Sequence, residues 1–275
     1  MRISHLGPTG TYTEAAARRF DPTAELLPLA TIGASIQAVR DGQSDAAVCP
    51  MENSIEGSVS IETMDLLIGS EFDLRICGEV VVAIQHHLVG APGINAAAAT
   101  TVYSHPQGLA QTRQSLARLA PNAKPVAALS TAGAVEASIK EPGTLAVGSE
   151  YAAELYGARI YARDIGDERD NETRFVVLSK EDAAPSGDDK TSLAFTVAAD
   201  RPGSLVEVLQ LFAQHGINLT RIESRPTRRQ LGTYVFFCDV QGHRSDAVVR
   251  GVLEETAQIT QWLRVLGSYP RWKRG

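Results

Sequence analysis

Cysteine is scarce in this chain: Cys49, Cys77 and Cys238 are the only three in 275 residues, an odd number spread far apart. That excludes a disulfide framework and leaves buried, reduced thiols as the ordinary reading, with a nucleophilic Cys49 near a turn as the lesser one. Positive charge is not in excess either. Lys and Arg total 26 against 32 Asp and Glu, a formal charge of −6. Neither nucleic acid nor an anionic membrane is therefore expected as a main partner. The basic end Arg271-Trp272-Lys273-Arg274 is too short to reverse that balance. No apolar run approaches the roughly 18–20 residues of a membrane span. The first residues, Met1 to Gly7, show no apolar core or cleavage site of a targeting segment, which together with the reduced thiols points to the cytoplasm. The phosphate-binding loop G-x-x-x-x-G-K-[ST] is missing, Gly7-Pro8-Thr9-Gly10 is not G-x-G-x-x-G, and there is no G-x-S-x-G elbow. His86 and His87 are neighbours on an expected strand and point to opposite faces, so they do not share a metal; surface or partly packed rings are the reading. No cofactor or metal is expected.

What is present is an ordinary globular composition, 44% apolar and 21% charged. Up to about residue 180 short apolar runs alternate with amphipathic stretches, the mark of an α/β protein with parallel or mixed sheets. Strands are expected over 3–6, 24–29, 46–49, 79–84, 87–89, 101–104, 124–127, 145–147 and 174–178. Helices are expected over 11–20, 34–40, 107–119, 131–140 and 150–156, with a further face marked by Val59, Thr63, Leu66 and Leu67. A block over about 78–161, bracketed by 1–77 and 162–180, makes two lobes with a cleft between them. Residues 181–190 have no periodic apolar face and read as a linker. The remainder, 191–275, reads as βαββαβ, a ferredoxin-like order. Its first helix is expected to open on a capping box, Ser204 with Glu207, and to stop at Gly216.

Small polar clusters recur in one kind of place. Gly10-Thr11, Glu52-Asn53-Ser54, Ser104-His105-Pro106-Gln107 and Ser130-Thr131 are each expected just after a strand and at or before a helix start. Ligands of open α/β sheets bind at such strand ends, where helix N-termini offer free N–H groups to an anion. Taken singly, each cluster is an ordinary helix cap. Converging on one cleft, they point to a small anionic ligand. A fifth cluster, Asp170 to Phe175, leads into a strand. Its Arg174 either grips a carboxylate in a bidentate fork or closes a structural salt bridge.

These residues, with Pro50-Met51-Glu52-Asn53-Ser54, Ser130-Thr131-Ala132, Asn171-Glu172-Thr173-Arg174-Phe175, Gly203-Ser204-Leu205-Val206 and Glu223-Ser224-Arg225-Pro226, resemble those of the monofunctional prephenate dehydratases, in the family's order over nearly the whole chain. Departures are mild: Tyr12-Thr13 for Phe-Ser, Met51 for Val or Ile, Gly108 and Ser204 for Ala. The resemblance implies a two-lobed catalytic domain like type 2 periplasmic binding proteins, followed by an ACT regulatory domain. It implies conversion of prephenate to phenylpyruvate with loss of water and carbon dioxide, without a cofactor. It implies Thr173 as the essential, catalytic residue; the reaction's chemistry then gives Thr11, Asn53, Ser54, Ser130, Thr131 and Arg174 as the expected substrate contacts, and Glu52 or His105 as a proton relay if the weakly acidic threonine needs one. It further implies phenylalanine as an effector in a homodimer or homotetramer, held around Gly203, Ser204, Leu205, Glu223, Ser224 and Arg225. Arg225 also fits an ordinary interface salt bridge. Arogenate, the aminated analogue, is the rival substrate; a non-catalytic amino-acid sensor is the rival of another class.

Overall fold

Parallel pairing arises in the N-terminal part where an apolar strand is followed by a helix that carries the chain back over the sheet. In a computed structural model the described residues are all but 59–60, 70–72, 199–200, 228–232 and 274–275. The order is β1 (Arg2–Leu6), α1 (Tyr12–Phe20), β2 (Glu25–Leu29), α2 (Ile32–Arg40), β3 (Ala46–Asn53), β4 (Gly57–Ser58), α3 (Ile61–Ile68) and β5 (Arg75–Ala83). Then come β6 (His87–Gly90), β7 (Thr101–Ser104), α4 (Pro106–Gln111), α5 (Arg113–Leu119), β8 (Lys124–Ala127), α6 (Thr131–Lys140), β9 (Thr144–Gly148), α7 (Glu150–Tyr156), β10 (Arg159–Ala162) and β11 (Glu172–Ser179). The C-terminal part is β12 (Asp189–Val197), α8 (Ser204–Gln214), β13 (Leu219–Pro226), β14 (Tyr234–Gln241), α9 (Ala247–Ile259) and β15 (Thr260–Pro270).

The chain divides into two compact units, residues 1–61 with 80–175, and residues 62–79 with 176–275. One sheet runs β2-β1-β3-β11-β5, with β4 on β3; β5 and β11 each contain a unit boundary. The second sheet runs β10-β6-β9-β7-β8 and lies wholly in the first unit. Its β7 is parallel to β8 and β9 while β6 is antiparallel to β9 and β10, so the sheet is mixed. One face buries Leu88, Val102, Leu145 and Val147 with Leu116; the other buries Val89 and Ala146 with Ala132, Val135, Ala152 and Ala153. The small residues of α6 and α7 let these helices sit close. A methyl group on Gly148 would lie 2.3 Å from Val135 Cγ2.

The C-terminal sheet is antiparallel, ordered β13-β14-β12-β15, which with α8 and α9 is the expected βαββαβ unit. Its core is Leu193, Phe195, Val208, Phe212, Val240, Val249 and Val252. In the same unit residues 62–79 are tied to this domain. Arg225 pairs with Asp65 at 2.7 Å, Arg264 donates to the Gly69 carbonyl at 2.6 Å, and Lys190 sits 2.9 Å from both Glu79 carboxylate oxygens.

Several sequence expectations are corrected. The strand expected over 46–49 continues to Asn53, and the one expected from 79 begins at Arg75. The single helix over 107–119 is two, because the Asp167 carboxylate takes the Gln114 and Ser115 N–H groups at 2.8 and 3.0 Å and starts a new helix there. Ser204 does not cap α8: Gly203, at φ +91°, is the cap, and Glu207 pairs with Arg201 instead. His86 and His87 are not surface rings but are both buried. Cys49 is fully buried within β3, which removes it as a nucleophile, and no cysteine forms a disulfide. Val59 lies outside the described residues. Among the described residues no helix is long and apolar enough to cross a membrane.

Candidate functional site

Thr173 is the second residue of β11 and is buried at 7% exposure. Its hydroxyl oxygen accepts a hydrogen bond from the Asn53 amide, Nδ2 to Oγ1 at 3.0 Å. Asn53 is the last residue of β3 and not a helix cap, as the sequence suggested. Its carbonyl oxygen accepts the backbone N–H groups of Ile55 and Glu56 at 3.0 and 3.1 Å, which turns the chain into β4. Backbone N–H groups only donate, so they fix which end of the amide faces them. The NH2 end must then face β11, where it meets Asn171 Oδ1 at 2.7 Å, Thr173 Oγ1 and the Glu172 carbonyl at 3.1 Å.

The same polarity runs on through a closed circuit. Asn171 Nδ2 donates to Gln111 Oε1 at 2.9 Å, Gln111 Nε2 donates to Glu56 Oε1 at 2.7 Å, and the Glu56 N–H returns to Asn53. Every member donates to the next, and the carboxylate can only accept. No amide in the ring can flip without setting two acceptors against each other. Gln107 Nε2 holds the other Glu56 oxygen at 2.8 Å. On the far side Gln111 Oε1 also meets His86 Nε2 at 2.8 Å. A cavity of about 540 Å³ opens along Ile55, Glu56, Gln107, Gln111 and Asp167.

The other expected residues fall as follows. Ser54 Oγ donates to the Asp170 carbonyl at 3.0 Å and accepts the Glu172 N–H at 2.9 Å, so it braces the turn before Thr173. Arg174 is buried and lies 3.0 Å from the Glu52 carboxylate, the salt bridge that its spacing allowed. His105 caps α4, its Nδ1 accepting the Gln107 N–H at 3.3 Å, and burial holds its pKa below the usual imidazole value. Thr11 and Ser130 are the caps of α1 and α6, accepting from the Glu14 and Gly133 N–H groups at 3.3 and 3.0 Å. Their two turns are neighbours: a methyl on Gly10 would lie 3.4 Å from Ala132 Cβ. Tyr156 donates to the Thr9 carbonyl at 2.9 Å, and Tyr151 to Glu14 at 2.9 Å. Tyr12 donates to the Gln85 carbonyl at 2.5 Å and sets its ring nearly perpendicular to that of His86, 6.5 Å between centroids. Thr11 is thereby linked by its neighbour to the Gln111 circuit, while no hydrogen bond joins Thr173 to Thr11, Ser130 or Thr131.

Asn171, Gln111 and Glu56 were missed as a site by sequence reading. Asn171 opens the Asn171-Glu172-Thr173-Arg174-Phe175 cluster with nothing in its spacing to mark a role, and Gln111 lies inside what reads as one long helix. No group of three His, Cys, Asp or Glu among the described residues is placed to hold a metal. On the C-terminal domain Glu223 and Arg225 share the less exposed face of β13, and Ser224 lies on the exposed one. Glu223 pairs with Arg221 at 2.5 Å, and Arg225 pairs within the chain, with Asp65. Gly203, Ser204 and Leu205 form the start of α8.

Two α/β sheets with polar turns at their strand ends, joined to a βαββαβ domain, define a ligand-binding fold coupled to an ACT domain. The chain belongs to the prephenate dehydratase family: that family's model matches residues 3–183, and the ACT domain model matches 191–258. The chain is 42% identical over 272 residues to the bifunctional chorismate mutase/prephenate dehydratase of Aquifex aeolicus, covering 98% of this chain and 74% of that one. It is 39% identical over 288 residues to arogenate dehydratase 1 of Petunia hybrida, covering 98% and 67%. Among solved structures, prephenate dehydratase of Arthrobacter aurescens in complex with L-Phe superposes with a TM-score of 0.88 at 36% identity, covering 98% and 90%. A structure described as GqqA, a novel type of quorum quenching acylase, gives 0.85 at 33%, covering 99% and 98%.

Proposed function

We propose that this chain converts prephenate to phenylpyruvate with Thr173 as the group that helps the ring hydroxyl leave. Prephenate carries two carboxylates, and its ring is one elimination from aromaticity. Its loss of carbon dioxide leaves an electron pair that closes the arene as hydroxide departs. The balance consumes one proton: prephenate dianion plus H⁺ gives phenylpyruvate anion, carbon dioxide and water. Stabilising the departing hydroxide is the part the protein must supply.

The observation that carries this reading is the direction of the Asn53 to Thr173 hydrogen bond. Because Thr173 Oγ1 accepts from Asn53, its own O–H hydrogen is left to point elsewhere, as a donor to substrate. A threonine hydroxyl is a weak acid, so its role is a strong hydrogen bond, with the proton resupplied from solvent or a neighbour. The resupply proposed for Glu52 or His105 has little in its favour: the first is paired with Arg174 and the second is a helix cap. Thr11, Ser130 and Thr131 would bind the carboxylates at the starts of α1 and α6, where N–H groups are free. Arg174 would set the charge of the site while Asn53 and Ser54 hold the Thr173 strand.

The ACT domain would bind L-phenylalanine around Gly203–Leu205 and Glu223–Arg225 in a dimer or tetramer, and the protein would work in the cytoplasm. Effector binding acts by favouring one arrangement over another. The test is turnover of purified protein. Thr173→Val keeps shape and removes the donor, and kcat with prephenate should fall about a thousandfold. Near-normal turnover of that variant would sink the assignment. Arogenate offered in parallel decides the substrate: a higher kcat/KM for arogenate would replace prephenate in this reading. Phenylalanine should inhibit and raise the melting temperature; no response in either removes the regulatory role.

A further inference from the structure

Among the described residues His86 is an imidazole hydrogen-bonded to the amide circuit that the proposed chemistry does not use. It lies just ahead of β6, 3% exposed, with Nε2 at 2.8 Å from Gln111 Oε1. The ring of amides decides its protonation. Gln111 Nε2 is committed to the Glu56 carboxylate, so the atom facing His86 is the amide oxygen, which only accepts. His86 must carry its hydrogen on Nε2. The other neutral tautomer would set two lone pairs against each other at that distance.

The remaining nitrogen, Nδ1, is buried and meets no protein hydrogen-bond partner among the described residues. A second proton would have to sit there, unsatisfied. Burial accordingly holds the ring below the ordinary imidazole value, helped by His87 and opposed by the Gln111 hydrogen bond and by the charges of Asp164 and Glu56. Tyr12, whose ring lies nearly perpendicular to that of His86, is a further titratable neighbour; its hydroxyl is committed to the Gln85 carbonyl and its pKa is raised by burial. The imidazole is thus held as a neutral, single-direction donor.

We propose that His86 is a positioning residue for the reaction: its Nε2–H fixes the Gln111 amide, which through Asn171 and Asn53 keeps the Thr173 hydroxyl as a donor to substrate. The role differs from that of a packed core ring. Gln111 Oε1 receives two hydrogens, from His86 and Asn171, and losing one weakens the hold on the circuit without emptying the core. The effect belongs to orientation at the departing hydroxyl and not to substrate binding, so it falls on kcat.

The inference rests on Thr173 being the catalytic donor, which Thr173→Val tests separately. His86→Phe keeps a flat ring and removes the donor. It should lower kcat by about ten- to a hundredfold with KM changed less than about threefold, and His86→Gln, which restores an N–H, should recover most of that loss. A kcat for His86→Phe within about threefold of the parent overturns the proposal, as does equal damage in both variants or a change confined to KM. Should His86→Phe fail to fold, ¹⁵N-histidine NMR of the unsubstituted protein gives the decision. At neutral pH His86 should be neutral with its proton on Nε2; a proton on Nδ1, alone or with the other, overturns it. With Thr173→Val inactive and the tautomer on Nδ1, only this inference fails.

Discussion

At the scale of single residues, Asn53 does the work of several. One side chain accepts two backbone N–H groups and divides its two amide hydrogens among acceptors on Asn171, Glu172 and Thr173. Asn53→Asp would keep the shape and turn the donating end into a charged acceptor facing three others. Stability should fall by about 2–4 kcal/mol, read in urea denaturation, and activity should fall with it. A variant as stable as the parent would mean that the circuit is dispensable. Protonation gives a second residue-scale prediction. Burial depresses His86, His87 and His105 in the folded chain. The unfolded chain therefore binds protons first as pH falls. The stabilisation is complete above the unfolded imidazole value of about 6.5 and is lost as pH drops towards the lower folded values. The melting temperature should decline between about pH 7 and 5, before the carboxylates titrate. A flat or rising profile there would contradict the burial of these rings. Thr11 and Ser130 were legible as caps because a cap needs only its own next turn. Asn53 was misread as one because its partners lie 118 to 120 residues away.

At the scale of elements, most strands and helices were readable because their apolar faces repeat with the right period. The helix expected over 107–119 failed where a remote group intervened. Nothing between 107 and 119 announces a break; the break is made by Asp167, some fifty residues on. Asp167→Ala should cost about 1–2 kcal/mol by leaving two N–H groups at the start of α5 without their acceptor. The measurement is a denaturation midpoint, and an unchanged value would show the cap to be idle. Gly267 on β15 shows a tighter constraint. A methyl there would lie 2.1 Å from the Ile76 carbonyl oxygen on β5, and backbone cannot swing aside as a side chain can. Gly267→Ala should therefore either fail to fold or lose at least about 3 kcal/mol. A near-neutral result would show that β5 and β15 have more room than this distance allows.

For the whole molecule, the chain crosses between its two compact units at 61/62, 79/80 and 175/176. Each crossing lies a few residues from the site: Asn53–Glu56 before the first, Gln85 and His86 after the second, Thr173–Arg174 before the third. The segment 62–79 between two of them is tied to the C-terminal domain through Asp65 and Glu79. The Asp65–Arg225 pair offers a test of the proposed control by phenylalanine. Asp65→Asn, which weakens the pair with Arg225, should leave turnover without effector within about twofold while blunting inhibition by phenylalanine. Inhibition curves that overlay would dismiss a role for the pair. The βαββαβ order was plain in sequence, since periodicity reports each element's own face. That residues 62–79 belong with it was not, because the ties are individual arginine, lysine and glycine contacts with no period.

Family matches end at residue 183 and resume at 191, and that gap looks like the natural place to cut. Compactness divides the protein elsewhere. A fragment ending near 183 would keep Asp65, Ile76 and Glu79 but lose Arg225, Gly267 and Lys190. It would expose a helix and half a strand shaped for company they no longer have. Chimeras that swap regulators at that gap inherit the same mismatch, so the incoming domain must be chosen to suit residues 62–79 as well as the effector.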